Sequence, residues 1–163
     1  MSMSFPQPQA EHRWLEQLVG DWTATMDEPT DCAPDATGVT WNEHVRSLEG
    51  LWVMAEGHGT MAGDTPVTTV MMLGFDPARN CYVGSFVGSM MTHQWVYEGR
   101  LSEDGQTLVL DTTGPNMMGD GSPAAFQDII ALDGSGGRTL TSRMRGEDGS
   151  WHQVMQVAYR RNG

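Results

Sequence analysis

Residues 67–99 read VTTVMMLGFDPARNCYVGSFVGSMMTHQWVYEG. In the first third, Val67, Thr69, Met71, Leu73 and Phe75 fall on alternate positions, which places them on one face of an extended strand. Asp76-Pro77 then breaks the run as a turn, and alternation resumes over 80–88 and again over 91–99. In the last segment Met91, His93, Trp95 and Tyr97 share a face. Three strands joined by short turns read as an antiparallel meander.

The same rhythm extends in both directions. Strands are expected at 21–27, 37–48, 51–59, 67–75, 80–88, 91–99, 107–113, 125–132, 138–145 and 150–161. Turns at Glu49-Gly50, Asp104-Gly105, Gly134 to Gly137 and Asp148-Gly149 separate them. Only residues 10–19 depart from the pattern: Trp14, Leu15, Leu18 and Val19 have helical spacing, and Gly20 stops the helix. Two connections are long, 28–36 with Pro29 and Pro34, and 114–123. These features predict one all-β domain over 1–163: a flexible leader at 1–9, a short helix at 10–19, and an up-and-down antiparallel barrel of about ten strands over 20–161. Closing the sheet removes its edges. A barrel of this size leaves room for one small ligand, so the chain reads as a binding cup.

Composition narrows the chemistry. The 163 residues carry 21 acidic groups against nine basic ones, all arginine, for a net charge of −12. Without lysine there is no Schiff-base nucleophile and no phosphate-loop lysine. The acidity disfavours nucleic acid and anionic lipid. No apolar run approaches the roughly 18 residues of a membrane span, and the opening residues lack the basic start and apolar centre of a signal peptide. The expectation is a cytoplasmic, bacterial-like protein with Cys32 and Cys81 as free structural thiols. Serine-hydrolase elbows, zinc-protease helices and glycine fingerprints are missing from the sequence. Glu43, His44, Asp111 and Asp128 could supply acid–base groups, but their spacing selects no pair, and the chain reads as a binder rather than an enzyme.

Gly20-Asp21-Trp22, at the entry to the first strand after a short helix, resembles the Gly-x-Trp element of calycins, which include lipocalins, fatty-acid-binding proteins and nitrobindin-like haem barrels. That resemblance implies a tryptophan plugging the closed end with a last-strand arginine over it. It assigns closure to Gly20, Trp22 and Arg160, with Arg161 the adjacent alternative; guanidinium over indole is a cation–π contact. A second resemblance covers nearly the whole chain. It is carried by Glu11-His12-Arg13-Trp14-Leu15, by Arg46-Ser47-Leu48-Glu49-Gly50-Leu51-Trp52, by Met90 through Gly99, by Leu110-Asp111-Thr112, and by Ala158-Tyr159-Arg160-Arg161. These stretches look like the bacterial domain-of-unknown-function family 1579, which implies a compact β-barrel and brings no established activity.

Site candidates follow from the strand faces. Met71, Met91, His93, Trp95 and Tyr97 combine soft thioethers with aromatics that keep a polar tip, a lining suited to a small, largely apolar molecule. No cofactor is expected. The alternative is a haem or metal barrel using His93 or His152, since nitrobindin-like proteins use a late-strand histidine; the plain reading of His93 is one hydrogen bond in a mixed core. Glu56 and His58, two apart on one strand, are weak metal candidates that His44 or His93 would complete; as surface residues they need no metal. The methionine pairs at 71–72, 90–91 and 117–118 read as core filling rather than copper ligands, because neighbours on a strand point to opposite faces. Met117-Met118 is expected to fold over the barrel mouth or into a homodimer contact. Arg143 and Arg145 alternate with Leu140, Ser142 and Met144, which sets them facing water if Leu140 and Met144 face in; the alternative has them pointing inward to clasp a carboxylate, as the arginines of fatty-acid-binding proteins do. A third possibility is a ligand-free homodimer that works through its surface.

Overall fold

The computed structural model describes residues 3–26, 39–61, 64–116 and 119–162. A one-and-a-half-turn helix, α1 (Ala10–Leu15), runs into a 3-10 turn over Glu16–Leu18 and then into ten strands. These are β1 (Gly20–Met26), β2 (Val39–Leu48), β3 (Trp52–Met61), β4 (Thr65–Asp76), β5 (Cys81–Gly88), β6 (Trp95–Leu101), β7 (Thr107–Pro115), β8 (Pro123–Leu132), β9 (Arg138–Arg145) and β10 (Trp151–Arg161). Each pairs antiparallel with the next, and β10 returns to pair with β1, closing the barrel. The all-β, up-and-down barrel expected from the alternation is therefore what the chain forms. Among the described residues no helix is long and apolar enough to cross a membrane.

Alternation explains which side chains face in. On β7, Leu108, Leu110, Thr112 and Gly114 are buried while their neighbours are more exposed. On β10, Val157 and Tyr159 are buried and Ala158 and Arg160 are exposed. That parity puts Arg161, rather than Arg160, on the inner side of the strand end. Arg161 lies 4.2 Å from the centroid of Trp22. Its two terminal nitrogens donate to the carbonyls of Val19 (2.6 Å) and Gln17 (2.8 Å). The closure set is thus Gly20, Trp22 and Arg161; Arg160 is corrected because it sits one residue out of phase. Gly20 has a structural reason to be glycine: its φ is +138°, and a Cβ there would stand 2.5 Å from an Arg161 nitrogen.

The helix plugs the end of the barrel where β1 begins. Trp22 donates to the Leu18 carbonyl (2.9 Å) and Trp14 to that of Gly105 (2.6 Å). His12 accepts from the Gln9 amide on Nδ1 (3.0 Å) and donates from Nε2 to the Phe75 carbonyl (3.1 Å), a pattern that fixes one neutral tautomer. Tyr82 donates to the Glu11 carbonyl (2.9 Å), and burial pushes its phenol far above the usual range.

Most strand ends shift by a residue or two from the sequence reading, and three departures change a helix, a strand start or a connection. The helix is shorter and ends as a 3-10 turn. The sixth strand begins at Trp95, not residue 91, because the chain turns after β5: the Met91 amide bonds to the Gly88 carbonyl (3.2 Å). The long 114–123 connection shrinks, since β7 runs to Pro115 and β8 starts opposite it at Pro123. The 28–36 connection, Cys32 and Met117-Met118 lie outside the described residues.

Arg161→Ala should destabilise the fold by about 2 kcal/mol, having removed two charge-assisted hydrogen bonds and the contact with Trp22. Arg160→Ala should stay within about 0.5 kcal/mol of the parent. Urea unfolding of the two variants side by side measures both, and equal effects would contradict the closure geometry.

Candidate ligand-binding cavity

The interior is divided. On the β6–β8 side it is filled: Trp95 packs edge-on to Phe126 with centroids 4.9 Å apart, and Leu108, Leu110 and Met144 are buried beside them. Gly114 on β7 makes this possible, since a Cβ there would overlap the Trp95 ring at 2.1 Å. On the β2–β4 side it is open. The inner positions of β3 after Val53 are Ala55, Gly57 and Gly59, three small residues in a row, and they leave space that bulkier side chains take up elsewhere. The result is a cavity of about 370 Å³, inside the roughly 300–1,000 Å³ range of small-molecule sites. Trp41 on β2 and Met71, Thr69 and Leu73 on β4 form much of its wall, which Phe86, the register partner of Met71 on β5, and Met155 on β10 continue. Trp41 meets Tyr159 edge-on at 6.5 Å.

The cavity floor is polar in one place. Arg138 at the start of β9 and Glu43 on β2 form an ion pair whose side chains are only 5% and 10% exposed. The Arg138 guanidinium lies 3.9 Å from the Tyr159 centroid and 4.5 Å from that of Trp22. Burial first, then the Glu43 carboxylate, push the Tyr159 phenol up, while Arg138 draws it down; burial prevails. The Nε of Arg138 has no hydrogen-bond partner among the described residues. A second polar group lies outside the cavity lining. Tyr97 and Ser142 donate to different oxygens of Asp128. Loss of solvent pushes the Asp128 carboxyl up, against the opposing pull of Ser142 and Tyr97, and raises Tyr97 well above its usual value.

The expected lining separates on this map. Met71 is in the cavity wall. Met91, His93, Trp95 and Tyr97 are brought near one another, but on the filled side. The Met91 sulfur accepts from the Trp95 indole (3.0 Å), His93 Nε2 donates to the Thr113 carbonyl (3.0 Å), and the His93 ring meets Trp95 edge-on at 4.7 Å. None of these four lines the cavity. His93 precedes β6, so strand alternation did not govern its direction; it borders an outer groove with Val96, Arg145 and Trp151. His152 is exposed beside Ser150. His58 is the one histidine among the described lining residues. Its Nε2 is bonded to Glu56 (2.8 Å) and its Nδ1 lies 3.3 Å from the Thr68 hydroxyl. His44 pairs instead with Asp21 (2.6 Å). Among the described residues no three His, Cys, Asp or Glu side chains are grouped to hold a metal ion.

Arg143 and Arg145 on β9 take the outward face. Arg143 lies outside, bonded to Gln127 (2.7 Å) and over Trp151 at 4.9 Å, and Arg145 is exposed. Of the four acid–base candidates, Asp111 is also outside, held by Arg100 (3.3 Å) and Gln127 (2.8 Å). Glu43 and His44 are neighbours on a strand and point to opposite faces. Sequence reasoning missed Arg138 as an inner residue, although it has the parity of Leu140 and Met144. It also missed the Ala55, Gly57, Gly59 series, whose period-two spacing marks one empty face.

Ten closed antiparallel strands, a helical plug, and a tryptophan capped by a last-strand arginine define an up-and-down β-barrel with an interior cavity. The chain belongs to the family described as "Protein of unknown function (DUF1579)", whose model matches residues 7–161. A solved structure titled as a redesigned β-barrel is similar at 14% identity and a TM-score of 0.48, over 93% of this chain and 96% of that one. The search of curated proteins finds no match.

Asp128 sets a pH test. Its folded pKa is raised, so the stability it contributes is complete below the ordinary carboxylate range and is lost as pH rises through the higher folded value. Asp128→Asn keeps the shape without the charge. Its melting temperature relative to wild type should therefore climb between about pH 4 and pH 8. A relative melting temperature that does not climb over that span would mean that the carboxylate is held ionised.

Proposed function

We propose that this barrel binds a small, largely apolar molecule in its interior. The observation that carries the reading is the cavity of about 370 Å³, walled by Trp41, Met71, Leu73 and Phe86 and left open by three small residues of β3. Interiors pack to near-crystalline density unless the space has a use, because an unfilled void forfeits dispersion contacts on every wall. A chain that fills one side of its barrel with Trp95, Phe126 and Met144 and sets Ala55, Gly57 and Gly59 against the other retains room for an occupant. The apolar wall supplies affinity by desolvation, and the few polar groups supply orientation. Haem through His93 or His152 gains no support from this cavity, since neither residue lines it.

Filling the space tests the reading. Wild-type protein should take up the neutral dye Nile red, and native mass spectrometry of freshly purified protein should show a retained organic mass. Ala55→Phe, which places a ring in the space the small β3 residues leave, should weaken dye binding by about tenfold or more while leaving the circular dichroism of the barrel unchanged. A wild type that neither carries an organic mass nor takes up the dye would overturn the proposal.

A further inference from the structure

The cavity floor holds one cation and one anion, already joined. Glu43 and Arg138 come from β2 and β9, which β1 and β10 separate in the sheet, so their side chains reach toward each other along the concave inner face, over Trp22 of β1 and Tyr159 of β10. Both line the cavity, and Arg138 is the only arginine among its described lining residues. A lone guanidinium at the bottom of an apolar cup would be a carboxylate receptor, because its forked donors match a carboxylate's two oxygens. Here that position is taken by a carboxylate of the chain itself. Tyr159 and Trp22 lie against the guanidinium, 3.9 Å and 4.5 Å from it, and restrict its freedom to turn toward another partner.

The charge balance decides what else can enter. A ligand carboxylate at the floor would set two anions on one cation in a site with little water, and an uncompensated buried charge costs far more than a buried dipole. Asp128, elsewhere on the inner face, adds no positive charge to offset it. A hydroxyl, ester or carbonyl end brings no net charge and can share the hydrogen-bonding capacity of the pair.

Building on the reading of the barrel as an interior binding cup, we propose that the cavity selects uncharged apolar molecules bearing a hydroxyl or carbonyl end, and that Glu43 excludes carboxylates by occupying Arg138. Glu43 is thus a specificity residue that acts through its partner. Removing its charge converts the floor into an anion receptor.

Displacement of Nile red by 1-decanol, methyl decanoate and sodium decanoate at pH 8 tests this. In the wild type, decanol and the ester should bind about tenfold or more tighter than decanoate. In Glu43→Gln, decanoate should gain about tenfold while decanol changes by less than about threefold. Glu43→Ser carries the same expectation if the glutamine variant does not fold. Wild-type decanoate binding as tight as decanol overturns the selectivity, and a folded Glu43 variant that gains nothing for decanoate overturns the role of Glu43. If the dye binds and none of the three probes displaces it, the proposed ligand class is wrong while interior binding stands. If the dye itself does not bind, both readings fall together.

Discussion

Closure of β1 onto β10 is the constraint on which the rest of this molecule depends. A ten-strand sheet with open edges would expose backbone donors and acceptors along two strands; joined, it has none to expose. The join is fixed at one point, where Trp22 is paired with Arg161 in register and lies under its guanidinium. Because β1 also pairs with β2, the same tryptophan sits opposite Glu43, which carries the internal ion pair. Closure and cavity floor are therefore parts of one assembly. Arg161 secures Trp22 to the plug and Arg138 secures it to the interior.

The interior shows how a barrel of fixed circumference can be both packed and hollow. Strand number sets the available cross-section, and side-chain volume sets how much is filled. On the β6–β8 side, large aromatics meet small partners such as Gly114, and the space closes. On the β2–β4 side, the small residues of β3 lie beside Thr69 and Met71 of β4 and leave the space above them open. The polar groups are distributed accordingly. The Asp128 cluster lies outside the cavity lining, while the Glu43–Arg138 pair borders the space.

Much of this architecture was legible in the sequence because strand alternation and turn chemistry are local. The strand rhythm, the helix, the Gly-x-Trp entry and the outward face of Arg143 all followed from residues close together in the chain. What failed was whatever depended on a partner far away or on a boundary. Placing the start of the sixth strand four residues early gave His93 and Met91 a strand face they do not have. Being one residue out of phase exchanged Arg160 for Arg161. The cavity could not be read at all from aromatic content, since Trp95 and Tyr97 lie in the filled half. Its trace was the opposite one, a run of missing side chains on β3, and emptiness is visible only when the strands across the barrel are known.

The contacts that seal the plug share a property. His12, Trp14, Trp22, Tyr82 and Arg161 each donate from a side chain to a main-chain carbonyl, those of Phe75, Gly105, Leu18, Glu11, Val19 and Gln17. A carbonyl is present whatever residue carries it. The seal is therefore written in the donors alone. An acceptor position needs no particular side chain for the bond so long as the backbone keeps its path, which at Gly105 alone among the six requires a positive φ of 71°. Sequence drift at this end of the barrel is then one-sided, with five donor residues tied to their chemistry and the acceptor positions other than Gly105 not bound to any side chain by these contacts.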